Sequence, residues 1–256
     1  MSGDHAFVVM AHGDSPFLAG ALASLRAQTL PSTVLVTTST PSSFIEAAAG
    51  GLPVLVNPQP GGIAADWNFA LGASGARYVT LAHQDDVYFP TFLAGSLAIL
   101  KASPDACLAF TGYVEVDDVG APARSRISLV KHALERVTLG GGTSPGARRL
   151  RAFLALGNPL PCSSVTYDRQ RLGGFAFSSA FRSNLDWDAW LRLLDDGKVF
   201  VRTPDRLVGR RHNRLTATSA LTREGVRSRE DLILFRRLWP GPAAALIAFA
   251  YKVGYR

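Results

Sequence analysis

Two adjacent carboxylates stand where a strand of the predicted sheet ends. Asp85 and Asp86 follow the apolar run of residues 78–81, and open sheets bind ligands beyond the carboxyl ends of their strands. Consecutive side chains of an extended segment point to opposite sides, so we expect Asp85 to face a ligand and Asp86 to brace the turn. Carboxylates bind Mg²⁺ or Mn²⁺ together with substrate phosphates. The pair therefore indicates either a metal–diphosphate site or a solvated turn before a helix that opens at Pro90.

A glycine turn and the helix after it offer a second place for a phosphate. The turn leads into residues 63–72, and the N-terminus of such a helix could face a phosphate or a ribose. Asp66 and Asn68 lie in its first two turns, from which they could reach the same pocket as Asp85. A turn followed by an amphipathic packing helix explains the same pattern.

Alternating strands and helices must position these residues. Short apolar runs rich in β-branched residues predict strands, which are expected at residues 7–11, 34–37, 53–56, 78–81, 108–116, 199–201 and 207–209. Helical spacing of apolar residues predicts helices, which are expected after Ser15-Pro16 and at residues 44–49, 63–72 and 147–156. The alternation in the first half favours a mostly parallel sheet. Residues 121–145 show no clear periodicity, which predicts a mobile loop or lid.

Composition indicates a globular α/β protein. The chain has 256 residues, of which 47% are hydrophobic and 18% charged, enough for one large domain or two small ones. Its two cysteines and an N-terminus without a signal-peptide pattern predict a cytoplasmic protein with reduced thiols. Cys162 is interpreted as a small buried filler.

The positive charge is confined to the C-terminal end. Residues 206–256 carry eleven Lys/Arg and three Asp/Glu, a net +8, whereas residues 1–205 carry sixteen and seventeen. Such a block could face polyanions or anionic lipid. An ordinary solvated helix face is the other interpretation.

Four segments in order resemble the inverting family 2 glycosyltransferases of GT-A fold. They are the strand ending in His12-Gly13-Asp14, residues 22–29, residues 62–68 and residues 81–86. The resemblance spans about residues 6–216. It implies an α/β, Rossmann-like GT-A sandwich with a central, mostly parallel sheet flanked by helices.

The resemblance also implies a domain organisation. Residues 1–220 would form the GT-A domain, with a nucleotide-sugar-binding half in 1–120 and an acceptor and catalytic-base half in 121–220. Residues 221–256 would form a basic and apolar helical tail.

For the donor side, the resemblance places residues 83–86 where the family carries its Asp-x-Asp-type metal motif. Asp85 would coordinate Mg²⁺ or Mn²⁺ on the diphosphate, and His212 would complete the metal site. His83 stands where the family often has its first carboxylate. Other expected donor contacts are His12, Asp14, Thr38, Asp66, Asn68 and Gln84. Because residues 37–40 (Thr-Thr-Ser-Thr) replace an acid that often helps hold the nucleoside, UDP, dTDP and GDP donors stay open.

For the acceptor side, the resemblance matches Asp186 to the general base, with Leu185 in place of the preceding acid. Trp187 and Asp188 would lie beside the acceptor, although core packing explains a tryptophan equally well. Acidic residues in a first helical turn are also favoured by the helix dipole alone.

The implied activity is inverting transfer from a nucleotide-diphosphate sugar to an acceptor hydroxyl in cell-surface polysaccharide or glycolipid synthesis. The acceptor would be a saccharide or lipid-linked, and no nucleic-acid partner is expected. Two alternatives are a nucleotidyltransferase, against which stands the lack of a glycine-rich, lysine-containing phosphate loop, and a catalytically silent nucleotide-sugar-binding protein.

The tail contains an apolar segment, residues 242–251, which is too short to span a bilayer. Basic residues and Trp239 flank it, so it could lie in a membrane interface, at the inner face for a cytoplasmic protein. A helix packed on the domain is the alternative.

Overall fold

The apolar runs of the first half form neighbouring parallel strands. A computed structural model of the chain describes residues 3–123, 126–211 and 217–253, with the backbone alone for 126–132, 217–218 and 253. β1 (His5–Ala11) lies between β2 (Thr33–Thr38) and β4 (Tyr78–His83), and β3 (Val54–Val56) extends the sheet beyond β2. All three pairings are parallel, which confirms the predicted parallel half.

Helices α1 (Leu18–Arg26), α2 (Ser43–Ala49) and α3 (Ile63–Gly72) connect these strands. The start of α2 follows from its capping residue, because the Ser42 hydroxyl accepts the Ile45 N–H at 3.3 Å. Its end follows from Gly50, whose φ of 54° is a left-handed conformation that glycine adopts without steric cost.

The second half adds strands of mixed direction. β8 (Val165–Asp168) pairs antiparallel with β4 and with β6 (Ala106–Val116), and β6 pairs parallel with β9 (Val199–Arg211). The full order in the described chain is β3-β2-β1-β4-β8-β6-β9-β5, where β5 is Val87–Tyr88, and a short β7 (Pro122–Ala123) pairs with β6. The sheet is thus mostly parallel on one side of β4 and mixed on the other.

The two short strands predicted at 199–201 and 207–209 are one strand, β9. Exposed residues 204–206 interrupt its apolar pattern, but register shifts against β6 absorb them. Gly112 permits this, since a Cβ there would lie 2.8 Å from Cγ of Arg206. The prediction of two strands was wrong because the bulge depends on a partner strand far along the sequence.

The segment predicted as an unstructured lid contains a helix, α5 (Arg126–Leu139), and leads into α6 (Gly146–Leu154). Buried Arg202 of β9 holds the turn after α5. Its guanidinium donates to the carbonyl oxygens of Gly140 (2.8 Å) and Gly142 (3.2 Å) and pairs with Glu135 at 2.9 Å. The loop prediction was therefore wrong, because the contact that orders this turn spans about sixty residues.

The remaining helices cover both faces of the sheet. They are α4 (Phe92–Ala102), α7 (Arg169–Leu172), α8 (Leu185–Asp195), α9 (Ala217–Arg223), α10 (Val226–Leu238) and α11 (Gly241–Val253), with a short 3₁₀ turn at Cys162–Ser164. Alternate residues of β1 enter different apolar clusters: Ala6 and Val8 join one, and Phe7 and Val9 join the other. The sheet is therefore buried between two helical layers.

The C-terminal helices share the core of the residues before them. Leu234 and Phe235 of α10 are fully buried in the same cluster as Trp190 of α8, and Ala244 of α11 is fully buried with them. The predicted tail is thus helical where it is described, and one side of it packs on the domain. Among the described helices, none combines the length and hydropathy that crossing a bilayer requires.

We expect Leu234→Ala to lower the free energy of unfolding by about 2–5 kcal/mol, because it leaves a cavity at a fully buried position. Ile233→Ala is the matched control: its neighbouring side chain is 48% exposed, so the change should be about 0.5 kcal/mol or less. Urea denaturation of both variants measures the difference. Equal effects would show that α10 is not part of the core.

Candidate active site

Three parallel strands end at one edge of the sheet, and Gln84 joins two of these ends. Its side-chain oxygen accepts the His12 N–H at 3.0 Å, and its amide donates to the His12 carbonyl at 2.9 Å. Gln84 therefore holds the segment after β1 against the segment after β4. The Gln84 amide was expected to contact the nucleotide-sugar donor, but both of its ends bond to the backbone of His12.

The carboxylate pair lies at this edge. Asp86 is buried, and its Oδ1 accepts the backbone N–H of Arg211 at 3.0 Å, so it ties the turn to the end of β9. Asp85 is half-buried. The Arg211 side chain braces the same turn, because its Nε donates to the Asp85 carbonyl at 3.0 Å and its guanidinium lies 4.4 Å from the Phe17 ring centroid. Asp86 is the bracing residue, and Asp85 is left as the more accessible carboxylate.

His83 completes a group of three side chains that could hold a metal ion. One ligand atom from each of His83, Asp85 and Asp86 lies within 4.8 Å of the others. Nε2 of His83 is buried and has no hydrogen-bond partner among the described residues, and the Trp67 ring centroid lies 5.7 Å from the imidazole centroid. Nδ1 of the same imidazole lies 4.0 Å from Oδ2 of Asp86, and an imidazole beside two carboxylates suits a divalent cation.

Electrostatics at Asp85 agree with this fit. Burial raises the pKa of Asp85 above its ordinary value, and the negative charge of Asp86 raises it further. A bound cation would favour the ionised form. His212, the other predicted ligand, lies outside the described residues.

Asp186 enters the same region from the first turn of α8. Its Oδ1 accepts the N–H of Trp187 at 2.8 Å, so the start of the helix sets the orientation of the carboxylate. Burial is the main cause that raises the pKa of Asp186, while the hydrogen bond from the Trp187 N–H and then the positive charges of Arg210 and Arg227 lower it; His83 is also close enough to act on this carboxylate. The predicted base and the metal-binding group are therefore within electrostatic reach of each other.

Two arginines act on these carboxylates: Arg210, which belongs to the Arg-x-His segment that contains the predicted ligand His212, and Arg227, which the sequence analysis did not single out. Arg210 of β9 is half-buried and its charge acts on both Asp85 and Asp186, and Arg227 lies in the first turn of α10. Guanidinium groups match phosphate geometry. The available signal was the basic block after residue 205, but nothing local showed which of its members point inward.

A carboxylate lies near the end of β2, but it comes from helix α3 and not from the residues that follow β2. Asp66 of α3 accepts the Ser39 hydroxyl at 2.8 Å through Oδ2 and the Asn57 side-chain amide at 2.9 Å through Oδ1. Asp66 thus links the segments that follow β2 and β3.

Hydroxyl groups line the same edge. The Thr38 hydroxyl accepts the Thr40 N–H at 3.0 Å, and the Thr40 hydroxyl accepts the Gly13 N–H at 2.8 Å. Asp14 accepts the Ser42 hydroxyl at 2.7 Å. Thr38 and Asp14 therefore help to shape the ends of β1 and β2, and His12 and Asp14 are exposed there.

Asn68 is not directed at this edge. Its side chain makes two hydrogen bonds with the backbone of Phe177, at 2.7 and 2.9 Å, and so fastens α3 to the loop before α8. Its amide is committed to this loop, and the donor contact expected of Asn68 stays a prediction. A cavity of about 520 Å³ beside it is also lined by Arg77 and Arg169, at the amino end of β4, and is therefore separate from Asp85.

Trp187 and Asp188 are buried on α8. Trp187 is fully buried, with its ring centroid 5.0 Å from that of Phe235. Asp188 is also buried, where it pairs with Arg192 at 2.8 Å and Arg237 at 2.7 Å. Eight of the eleven residues of α8 are buried, so both side chains are part of the core, and their acceptor-side role stays a prediction.

Buried thiols take no part in the site. Burial raises the pKa of Cys162 far above its ordinary value, and the sulfur lies 3.6 Å from the Tyr167 hydroxyl. Cys162 is the buried filler that was predicted.

Comparison with known proteins gives the class of fold. No family model and no curated protein matches the sequence, but solved GT-A glycosyltransferase structures match the fold. The chain therefore has the GT-A fold that its sequence resemblance implies.

Three of these structures illustrate the match. Residues 1–349 of S. aureus TarS in complex with UDP-GlcNAc are 13% identical, with a TM-score of 0.64 over 97% of this chain and 71% of that one. The mannosyltransferase PcManGT from Pyrobaculum calidifontis, with GDP-Man and Mn²⁺, is 14% identical, with a TM-score of 0.65 over 96% and 73%. Glucosyl-3-phosphoglycerate synthase from Mycobacterium tuberculosis, with Mg²⁺ and UDP, is 15% identical, with a TM-score of 0.55 over 87% and 79%. The chain spans 42% of a longer TarS structure.

Proposed function

We propose that this protein transfers a sugar from a nucleotide-diphosphate sugar to an acceptor hydroxyl, with inversion at the anomeric carbon. The observation that carries the proposal is the convergence, on a GT-A fold, of a metal-binding group at the end of β4 and a half-buried carboxylate at the start of α8. Direct displacement needs both a stabilised leaving group and one base for the acceptor hydroxyl.

The donor would bind along the ends of β1, β2 and β4. Its nucleoside would contact the polar edge formed by Thr38, Ser39 and Asp66, and its base is that of UDP, dTDP or GDP. The neighbouring structures that contain UDP-GlcNAc, UDP or GDP-Man support a donor of this class.

The diphosphate would lie beside Asp85. His83 and Asp85, together with His212, would hold Mg²⁺ or Mn²⁺, which neutralises charge on the leaving diphosphate when bound. Arg210 contributes a fixed positive charge to the same region. The neighbours that contain Mn²⁺ or Mg²⁺ support this choice of cation.

Asp186 would act as the general base. Its Oδ1 is held by the Trp187 N–H, which leaves Oδ2 to receive the acceptor proton. A carboxylate whose pKa is raised by burial is a stronger base than one in water, as long as it stays ionised at the working pH.

Turnover with a panel of UDP, dTDP and GDP sugars, with and without Mn²⁺, tests the function. Release of nucleotide with transfer to an acceptor supports it. Thermal stabilisation by the donors without nucleotide release would instead identify a silent binding protein.

Asp186→Asn should retain donor binding and lower kcat by about 10²–10⁴-fold, because an amide cannot accept the hydroxyl proton. In the parent, kcat should rise with pH through an acid limb that lies above the ordinary titration range of an aspartate, since the base works only when ionised and burial raises its pKa. Steady-state kinetics across pH measure both effects. Asp195→Asn, at the exposed end of the same helix, is the control. Turnover of Asp186→Asn within a few-fold of the parent would refute the assignment.

Asp85→Ala should weaken nucleotide binding in the presence of Mn²⁺ by about 10–100-fold, because the diphosphate loses the cation that offsets its charge. Calorimetry with and without a chelator measures this effect. Asp118→Ala removes an exposed acid from the turn after β6 and should bind like the parent. If Asp85→Ala binds nucleotide as tightly as the parent with Mn²⁺ present, the metal lies elsewhere.

A lipid surface is the proposed setting for a saccharide or lipid-linked acceptor in polysaccharide or glycolipid synthesis. Ala244 and Tyr251 turn one side of α11 toward the core, whereas Leu246 and Phe249 on the other side are 71% and 69% exposed. Exposed Arg236 and Lys252 lie nearby in sequence. An apolar stripe flanked by basic residues suits an anionic membrane interface.

The double variant Leu246→Ser, Phe249→Ser should lower binding to vesicles that contain phosphatidylglycerol by about 10-fold or more, since two large apolar side chains no longer enter the interface. Co-sedimentation at low and high salt measures binding, with phosphatidylcholine vesicles for comparison and Ala245→Ser as a control on the same helix. These substitutions are preferable to deletion of α11, which would also remove buried Ala244. Absence of binding by the parent at low salt would refute the membrane contact.

A further inference from the structure

A buried carboxylate of α10 holds the backbone just before α8. Glu230 accepts three consecutive N–H groups: Oε1 accepts from Arg182 at 2.7 Å, and Oε2 accepts from Ser183 and Asn184 at 2.9 Å each. Glu230 is only 7% exposed. Hydrogen bonds to an ionised acceptor in a buried setting are roughly twice as strong as neutral ones.

The residue before α8 does not cap the helix with its own side chain. Asn184 occupies the capping position but makes no capping hydrogen bond, and its side-chain amide donates to Asp231 of α10 at 2.8 Å. In the first turn, Asp188 pairs with Arg237 near the end of α10. Three contacts from α10 therefore determine where α8 begins.

The position of Asp186 depends on this start. Its carboxylate is oriented by the N–H of Trp187, so a shift or fraying of the first turn would move the carboxylate as well. The same helix, α10, also brings the charge of Arg227 to Asp186. The segment after residue 220 thus contributes to the catalytic half.

We propose that Glu230 is a positioning residue for sugar transfer: through its three hydrogen bonds to the backbone of residues 182–184, it holds the Asp186 carboxylate in place. This inference rests on the proposed function, in which Asp186 is the base. It also gives a catalytic role to a helix that the sequence resemblance leaves without one.

Glu230→Gln tests the role with little change of shape. One end of the glutamine amide is a donor and cannot accept an N–H, so at least one of the three bonds is lost. We expect kcat to fall about 10–100-fold, because small misplacements of reacting groups cause losses of this size. The affinity for the donor should stay within about two-fold, because the proposed donor contacts lie on other elements. Glu224→Gln is the matched control, since Glu224 is exposed on the same C-terminal segment.

The pH profile distinguishes positioning from a general loss of stability. Among the described residues, His83 of β4, Tyr167 of β8, Arg210 of β9, Arg227 of α10 and Cys162 of the 3₁₀ turn are the titratable or charged groups that interact electrostatically with Asp186. Burial is the largest cause of the raised pKa of Asp186. Loosening the start of α8 admits water and lowers that pKa, so the acid limb of kcat should move to lower pH in Glu230→Gln. Partial unfolding alone would lower the plateau of the kcat–pH profile and leave the position of its acid limb unchanged.

Each outcome decides the proposal. The proposal is overturned if Glu230→Gln folds and has the kcat of the parent and the same acid limb in its kcat–pH profile. It is also overturned if the loss of kcat only matches the loss of folded protein measured by circular dichroism. If this variant does not fold, Glu230→Asp keeps the charge with one methylene fewer, and the same two readouts apply. Failure of both variants to fold would assign Glu230 to folding alone and would also overturn the proposal. A parent that transfers no sugar from any donor overturns the proposed function itself, and this result is recognised before any variant is compared.

Discussion

Strand β4 sets the geometry of the candidate site, because its two neighbours run in opposite directions. It pairs parallel with β1 on one side and antiparallel with β8 on the other. The parallel side brings the carboxyl ends of the first strands to the edge where His83 and Asp85 lie. The antiparallel side means that the chain enters β8 at that same edge, so the 3₁₀ turn before β8 lies near the region that Asp186 enters. Strands of different direction thus bring His83, Asp85 and the turn before β8 to one edge of the sheet.

The second constraint is the burial of several carboxylates, each of which costs free energy unless it is paired. Asp86 is compensated by the backbone N–H of Arg211, Asp188 by Arg192 and Arg237, and Glu230 by three N–H groups. Two of these partners come from the basic C-terminal block, the backbone N–H of Arg211 and the guanidinium of Arg237. Part of the positive charge that suggested a polyanion or a lipid surface is therefore used inside the fold.

At the polar edge after β2, a carboxylate that accepts hydrogen bonds comes from a helix and not from the strand end itself. Residues 37–40 carry hydroxyls only, and sequence comparison alone suggests that a carboxylate is missing. In the folded chain, Asp66 of α3 reaches Ser39 and Asn57 at that position. An acceptor of hydrogen bonds is therefore available at the edge where a nucleoside is proposed to bind.

What the sequence determined by itself was local. Apolar runs located β1 to β4, the spacing of apolar residues located α2 at residues 44–49, and the alternation of strand side chains separated bracing Asp86 from accessible Asp85. The tertiary structure decided the rest: the single strand β9, the ordered turn after α5, the burial of Trp187 and Asp188, the commitment of Asn68 to Phe177, and the hold of Glu230 on α8. Each of these depends on partners far apart along the chain, such as the 109 residues between Asn68 and Phe177 or the 46 between Asn184 and Glu230. Periodicity and capping report only on neighbours within a few residues, so they cannot reveal which distant group will satisfy a buried amide or carboxylate.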